Sequence, residues 1–168
     1  MKQPPKILIL GVGNLLLCDE GVGVHIIREL EKKYLFPNNV ELFDGGTLGL
    51  YLLPKIEEGF DYILIIDAIA TNNPPGSIYV LDFKDLPQKL SNKLSPHETS
   101  LLEVLTLAQL NGYTFQAKII GIVPENMHSW GMILSKTIND KLPVLIETLF
   151  NELHLLNISP SQLKVSIS

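Results

Sequence analysis

The sequence predicts an α/β three-layer sandwich: a mostly parallel twisted sheet with helices on both faces and a hairpin insert. Three observations lead there. Continuous apolar runs recur at Ile7 to Leu10, Tyr62 to Ile66 and Lys118 to Val123, with a shorter one at Val40 to Phe43. Runs without alternation suit strands buried on both faces of a parallel sheet. Helical patterns lie between them, which is the order of a strand-crossover-strand protein. The chain has 168 residues, 46% hydrophobic and 18% charged, long enough for one well-filled core and too short for two ordinary domains. Residues 1–156 are therefore expected to form a single domain.

The first strand runs into Gly11-Val12-Gly13-Asn14-Leu15-Leu16-Leu17-Cys18-Asp19-Glu20-Gly21-Val22-Gly23, a glycine-rich turn that delivers two adjacent carboxylates. From Glu20 to about Tyr34, Val22, Ile26, Ile27 and Leu30 form one face of a helix, and Arg28, Glu29, Lys32 and Lys33 the other. A second, shorter helix is expected over Leu48 to Glu58. After the strand ending at Asp67, Thr71-Asn72-Asn73-Pro74-Pro75-Gly76 is turn chemistry. The Ile78 to Phe83 run follows too soon for a helical crossover and reads as the second arm of an antiparallel hairpin. Lys84 to Leu94 is polar and reads as a loop. Ser95-Pro96-His97-Glu98 then combines a serine cap, proline at the first helical position and glutamate three after the serine, a capping box. That helix shows Leu101, Val104, Leu105 and Ala108 on one face and ends at Asn111-Gly112. The last helix spans about Ser135 to Leu156 and carries Pro143, where a kink or restart is expected. The tail Asn157 to Ser168 has no periodicity and is expected to be disordered.

Composition excludes several classes. A net charge of −5 with scattered lysines and arginines leaves no basic patch for nucleic acid. One cysteine permits no internal disulfide, the start lacks a signal-peptide pattern, and no apolar run approaches membrane length. A cytoplasmic monomer is the expectation.

In such folds the ligand lies at the carboxyl ends of the strands. Applied here, that edge collects Asp19 and Glu20 after the first strand, Asp44 in Asp44-Gly45-Gly46-Thr47 after the second, and Asp67 at the end of the third. Like charges in one cleft repel unless they share protons or a cation. His97, in the first turn of its helix, is the natural nitrogen partner, because the positive end of the helix dipole favours the neutral imidazole that a metal requires. Two carboxylates and one imidazole make a three-ligand site with open positions, as catalytic metal sites have, and leave nickel, zinc and similar divalent ions open. Singly, each residue has an ordinary use. Asp67 and Asp44 can cap turns, Glu20 can favour a helix start, and His97 can be a surface histidine. Their convergence raises the joint case.

Other candidates fare worse. His25 is five residues after Glu20, about 140° round a helix, and reads as a surface residue. His128 reads as solvated loop, His154 has no role, and Cys18 is read as packing because no recognised motif activates it. A dinucleotide fingerprint fails at its third glycine, where Leu16 stands, and an acidic helix start repels a pyrophosphate.

Gly11-Val12-Gly13-Asn14 with Asp19-Glu20-Gly21-Val22-Gly23, then Asp44-Gly45-Gly46-Thr47, Asp67-Ala68 and Ser95-Pro96-His97, resembles the hydrogenase maturation endopeptidases in order and spacing. The likeness runs from about Lys6 to about Phe150 and is nearest to the uptake-hydrogenase branch. It implies an endopeptidase that removes a carboxyl-terminal extension from the nickel-loaded large-subunit precursor of a nickel-iron hydrogenase. It implies metal ligands at Glu20, Asp67 and His97, substrate selection by Asp44, Gly45, Gly46 and Thr47, and no permanent cofactor, the nickel arriving with the precursor. Glu20 and Asp67 are the expected catalytic carboxylates, with Asp44 as an assisting base or a residue that holds its loop. The rival functions are a nickel-binding chaperone that holds the precursor without cutting it, and a metal-dependent peptidase of another substrate on a similar fold.

Overall fold

The computed structural model describes residues 3–85 and 96–163, and for residues 96–100 the backbone alone. The chain runs β1 (Ile7–Val12), a 3-10 turn (Cys18–Gly21), α1 (Val22–Lys33), β2 (Tyr34–Leu35) and β3 (Val40–Gly46). A second 3-10 turn (Gly49–Leu52) leads into α2 (Leu53–Ile56), followed by β4 (Tyr62–Ala68) and β5 (Ile78–Asp82). Then come α3 (Pro96–Leu110), β6 (Gln116–Ile122), α4 (Lys136–Leu155) and β7 (Ser161–Gln162). Five strands form one sheet in the order β3-β1-β4-β6-β5, all parallel except β5.

The apolar runs lie in this sheet because both of its faces are covered. Along β1, Ile7 and Ile9 pack with α1 and α4, while Leu8, Leu10 and Val12 pack with α2 and α3. The same alternation continues in β4, where Leu64 and Ile66 face one layer and Ile63 and Ile65 the other. Each such side chain contributes roughly 1.5–3 kcal/mol by leaving water, so the pattern fixes the three layers. α1 buries Val22, Ile26, Ile27 and Leu30, the face read from its periodicity. α3 likewise buries Leu101, Val104, Leu105 and Ala108. Among the described residues no helix is long and apolar enough to cross a membrane.

Four local expectations are corrected. β5 is antiparallel, as expected, but its partner is β6 and not β4. Both edges of β4 are occupied by β1 and β6, so the returning chain crosses the end of β6 and pairs on its far side. Ile69 marks the crossing: its amide donates to Ile122 at 2.9 Å, and its side chain fills the space where Gly121 lacks a Cβ. The helix expected over Leu48 to Glu58 is a 3-10 turn followed by the single turn α2. Gly49 is left-handed, Pro54 restricts the residue before it, and left-handed Gly59 stops the run. α4 continues through Pro143 without restarting; the Ser135 hydroxyl caps it by accepting the Ile138 amide at 3.3 Å. Part of the tail expected to be disordered is built in: Ile158 is buried, Ser161–Gln162 pair with Tyr34–Leu35, and the Leu163 amide donates to the Lys33 carbonyl at 2.8 Å. Residues 164–168 lie outside the described residues, as do residues 86–95 of the expected loop and capping box, including Ser95, and the side chains of His97 and Glu98.

Candidate active site

The topology itself marks a position. From β1 the chain passes through α1 to β3 on one side, then through α2 to β4 on the other side of β1. This reversal leaves a crevice beyond the carboxyl ends of β1 and β4, the usual ligand position in open α/β sheets. Glu20 follows β1 and Asp67 lies near the end of β4, so both belong to that crevice. Both are buried, Glu20 at 7% and Asp67 at 2% exposure. Two carboxylates with so little access to water are costly to place there unless a cation or proton compensates them.

The glycines explain how Glu20 comes so close to the sheet. A Cβ on Gly23 would lie 2.2 Å from the Ile66 carbonyl oxygen and 2.4 Å from that of Val12. One on Gly11 would lie 2.2 Å from the Gly23 carbonyl oxygen. Without side chains at these two points, the first turn of α1 sits directly on the backbones of β1 and β4. The 3-10 turn carrying Glu20 consequently packs against β4. Asp67 accepts the Ala68 amide on Oδ1 at 2.8 Å, which orients its carboxylate at the strand end.

Asp19 and Asp44 take other work. Asp19 is fully buried, and its Oδ2 accepts the amides of Glu125 at 3.0 Å and Asn126 at 2.8 Å while Oδ1 accepts that of Ser135 at 2.7 Å. It thereby ties the loop 124–135 to the turn before Glu20. The tie is reinforced by the Cys18 amide donating to the Gly131 carbonyl at 2.8 Å and the Gly131 amide donating to that of Leu16 at 2.9 Å. Nothing local in the sequence announces this role, because the three donors stand 106 to 116 residues away. Asp44 is exposed at the end of the edge strand β3, on the far side of β1 from Asp67. Its Oδ1 accepts the Gly46 amide at 3.1 Å and its Oδ2 lies 3.7 Å from Arg28, which shapes the Asp44-Gly45-Gly46-Thr47 turn. Gly46 is left-handed there, while Gly45 is buried and Thr47 exposed.

α3 brings the chain back to the start of β6, so its first turn, with His97, stands at the carboxyl edge of the sheet, and the helix packs against the Gly49–Leu52 turn. The His97 imidazole lies outside the described residues. Among the described residues no group of three or more histidine, cysteine, aspartate or glutamate side chains is gathered to hold a metal ion. Glu20 and Asp67 supply two hard oxygen donors, which fit a divalent cation only with a third donor added.

The remaining histidines and the cysteine separate cleanly. His25, expected at the surface, is instead half-buried. Burial lowers its pKa below 6.5 and the nearby Arg28 charge lowers it further. His128 and His154 are exposed, in keeping with their lack of a role. Cys18 is left-handed and half-buried, with its sulfur against Gly131, a packing position. An open depression of about 620 Å³ lies at the opposite edge of the sheet, lined by Gln3, Asp61, Tyr62, Gln116 and Leu155, away from Glu20 and Asp67.

Comparison with known proteins agrees with the fold and with the motifs. A sequence profile of the family described as hydrogenase maturation protease matches residues 24–152. The chain is 40% identical over 124 residues to the hydrogenase 2 maturation protease of Escherichia coli strain K12, covering 73% of this chain and 75% of that one. It is 36% identical over 149 residues to the hydrogenase expression/formation protein HupD of Thiocapsa roseopersicina, covering 88% and 67%. The solved structure of the hydrogenase maturating endopeptidase HybD from E. coli matches with a TM-score of 0.86 at 33% identity, covering 94% of this chain and 97% of that one. With the family profile spanning most of the chain and the solved endopeptidase sharing its whole architecture, the chain belongs to the hydrogenase maturation proteases and is an endopeptidase, a hydrolase of peptide bonds.

Proposed function

We propose that this endopeptidase removes a carboxyl-terminal extension from the large-subunit precursor of a nickel-iron hydrogenase, and that it does so only after the precursor has received nickel. The observation that carries the reading is the pair of buried carboxylates, Glu20 and Asp67, at the switch point of the sheet. In this proposal the nickel is part of the substrate, held by the precursor's own ligands. Glu20, Asp67 and His97 offer it further donors, so an unloaded precursor lacks the ion that these donors would hold. Closing an acidic cleft on a cation relieves the repulsion between the two carboxylates, which links recognition to metal loading. The ion can then polarise the scissile carbonyl or the attacking water, as Lewis-acid catalysis does. Water adds to the carbonyl carbon, the carbon–nitrogen bond breaks, and the departing amine takes a proton.

Asp44, Gly45, Gly46 and Thr47 select the precursor. Asp44 and Thr47 are exposed at the rim beside α1, where a bound protein would read them, while Asp44 is engaged by Gly46 and Arg28. That engagement favours the loop-holding role of Asp44 over service as a base. The protease acts as a cytoplasmic monomer and carries no permanent cofactor in this reading.

The test is the intact mass of candidate large-subunit precursors, nickel-loaded and nickel-free, after incubation with the protein. Loss of a carboxyl-terminal peptide from the loaded form alone is expected. Equal cutting of both forms would remove the nickel gate, and an unchanged mass of a folded, loaded precursor would leave the chaperone role in its place. Glu20→Gln keeps the size and removes the charge; it should slow processing at least about 10–100-fold, the loss that even outer-shell partners of a metal cause. Processing at the wild-type rate would remove Glu20 from the ligand set.

A further inference from the structure

The loop 124–135 is tightly held and yet presents large apolar side chains to water. Trp130 is 81% and Ile133 83% exposed, and Met132 and Leu16 beside them are about half exposed. Single exposed hydrophobics are ordinary on any surface, but these four stand on two segments that are bridged together. Leu17 and Gly131 pair as a parallel bridge, and the Gly131 amide donates to the Leu16 carbonyl. Asp19 fixes both ends of the loop through Glu125, Asn126 and Ser135. The Asn126 side chain accepts the amides of His128 at 3.2 Å and Ser129 at 3.1 Å, which shapes the segment just before Trp130. The loop is therefore ordered by polar groups, and it buries Leu134 in the core while leaving Trp130, Met132 and Ile133 exposed.

We infer that Leu16, Trp130, Met132 and Ile133 form the docking surface for the folded body of the protein substrate, next to the cleft that receives its cleavable segment. The inference rests on the proposed function for the identity of that substrate. Its independent support is continuity: Leu16 stands four residues before Glu20, and the loop that carries Trp130 is held at Glu125 and Asn126 by Asp19, the residue immediately before Glu20. A protein that places a peptide bond at Glu20 and Asp67 covers this rim as it does so. The chemistry of the rim, one indole, one thioether and two branched aliphatic chains, suits an apolar patch on a folded surface. A short solvated extension would gain little from it. Aromatic anchors backed by a rigid, water-excluding frame are the usual energetic centres of protein interfaces. Preorganisation by Asp19 lowers the ordering cost of binding.

The experiment uses the full-length protein, its Trp130→Ser/Ile133→Ser double variant, and Leu155→Ser as a control on an exposed leucine at the far edge of the sheet. Two readouts are taken with the folded precursor, binding by interferometry and processing by intact mass at a series of precursor concentrations. The double variant should keep its melting temperature and its kcat, and raise both KM and the dissociation constant for the precursor by about tenfold or more. Leu155→Ser should match wild type. Unchanged KM and affinity in the double variant, with wild type cutting normally, would overturn the docking surface and spare the proposed function. Binding through the rim without any cutting would do the reverse, and wild type that neither binds nor cuts would overturn both. If wild type sediments as a dimer that the double variant abolishes, with precursor affinity unchanged, the rim belongs to a second copy of this chain and the inference fails.

Discussion

Asp19 and Glu20 are neighbours with the same chemistry and different fates. Asp19 is spent on three backbone amides that join segments remote in sequence, while Glu20 lies buried on the turn that packs against β4. Removing the Asp19 carboxylate leaves three part-buried donors to find other partners, some of them from water, where an unpaired buried donor would cost about 1–3 kcal/mol. Asp19→Ala should therefore lose about 1–3 kcal/mol in urea unfolding, with Asp19→Asn losing less because one carbonyl acceptor remains. Stability within about 0.5 kcal/mol of wild type for the alanine variant would show that the loop is held by other means. His25 sets a pH dependence. Its pKa in the folded protein lies below 6.5, so on acidification the unfolded chain takes up the proton first. The stability tied to its neutral form is complete above about 6.5 and is lost as pH falls below that value. Melting temperature should then drop more steeply for wild type than for His25→Gln between about pH 7.5 and 5.5; parallel curves would dismiss the imidazole as the cause.

At the scale of elements, the decisive contact is that of α1 with the two central strands. Gly11 and Gly23 let the helix settle onto backbone, and only that depth carries Glu20 to the strand ends. Gly23→Ala places a methyl group 2.2 Å from a carbonyl oxygen in a part of the molecule with no flexible side chain to yield. A destabilisation of about 3 kcal/mol is expected, read by urea unfolding. Gly59→Ala meets nothing within 4 Å and suffers only its left-handed backbone, so it should cost about 1–2 kcal/mol and calibrates the comparison. Equal losses in the two variants would mean that the close approach contributes nothing. The central strands were legible from their apolar runs, and α1 and α3 from their buried faces, because burial on one or both sides writes directly into the residue pattern. The partner of β5 was not. A run such as Ile78 to Asp82 states that it is a strand, but which edge is vacant depends on where the other strands already lie. The two-residue β7 was invisible for a similar reason: exposed on both residues, it has no pattern to show.

On the scale of the whole molecule, strand order turns a list of motifs into a crevice. Three segments separated by dozens of residues, the glycine turn, the end of β4 and the start of α3, come to one edge because β1 and β4 run parallel and α3 leads back to the start of β6, which is parallel to them. The sequence by itself determined that edge, the strands and helices that build it, and the candidate residues Glu20, Asp67, Asp44 and His97, since each is tied to a strand end or a helix start by local pattern. It also carried the family, through motifs whose order survives in the linear chain. Only the tertiary structure decided which acids share the crevice and which serve the frame. It alone showed Asp19 buried under a distant loop, Asp44 drawn off to the rim beside Arg28, and Trp130 and Ile133 left exposed on the loop that Asp19 holds. The physical reason is that burial and hydrogen-bond partnership belong to pairs of segments: an aspartate's local sequence states its charge, and its surroundings in the fold determine what that charge does.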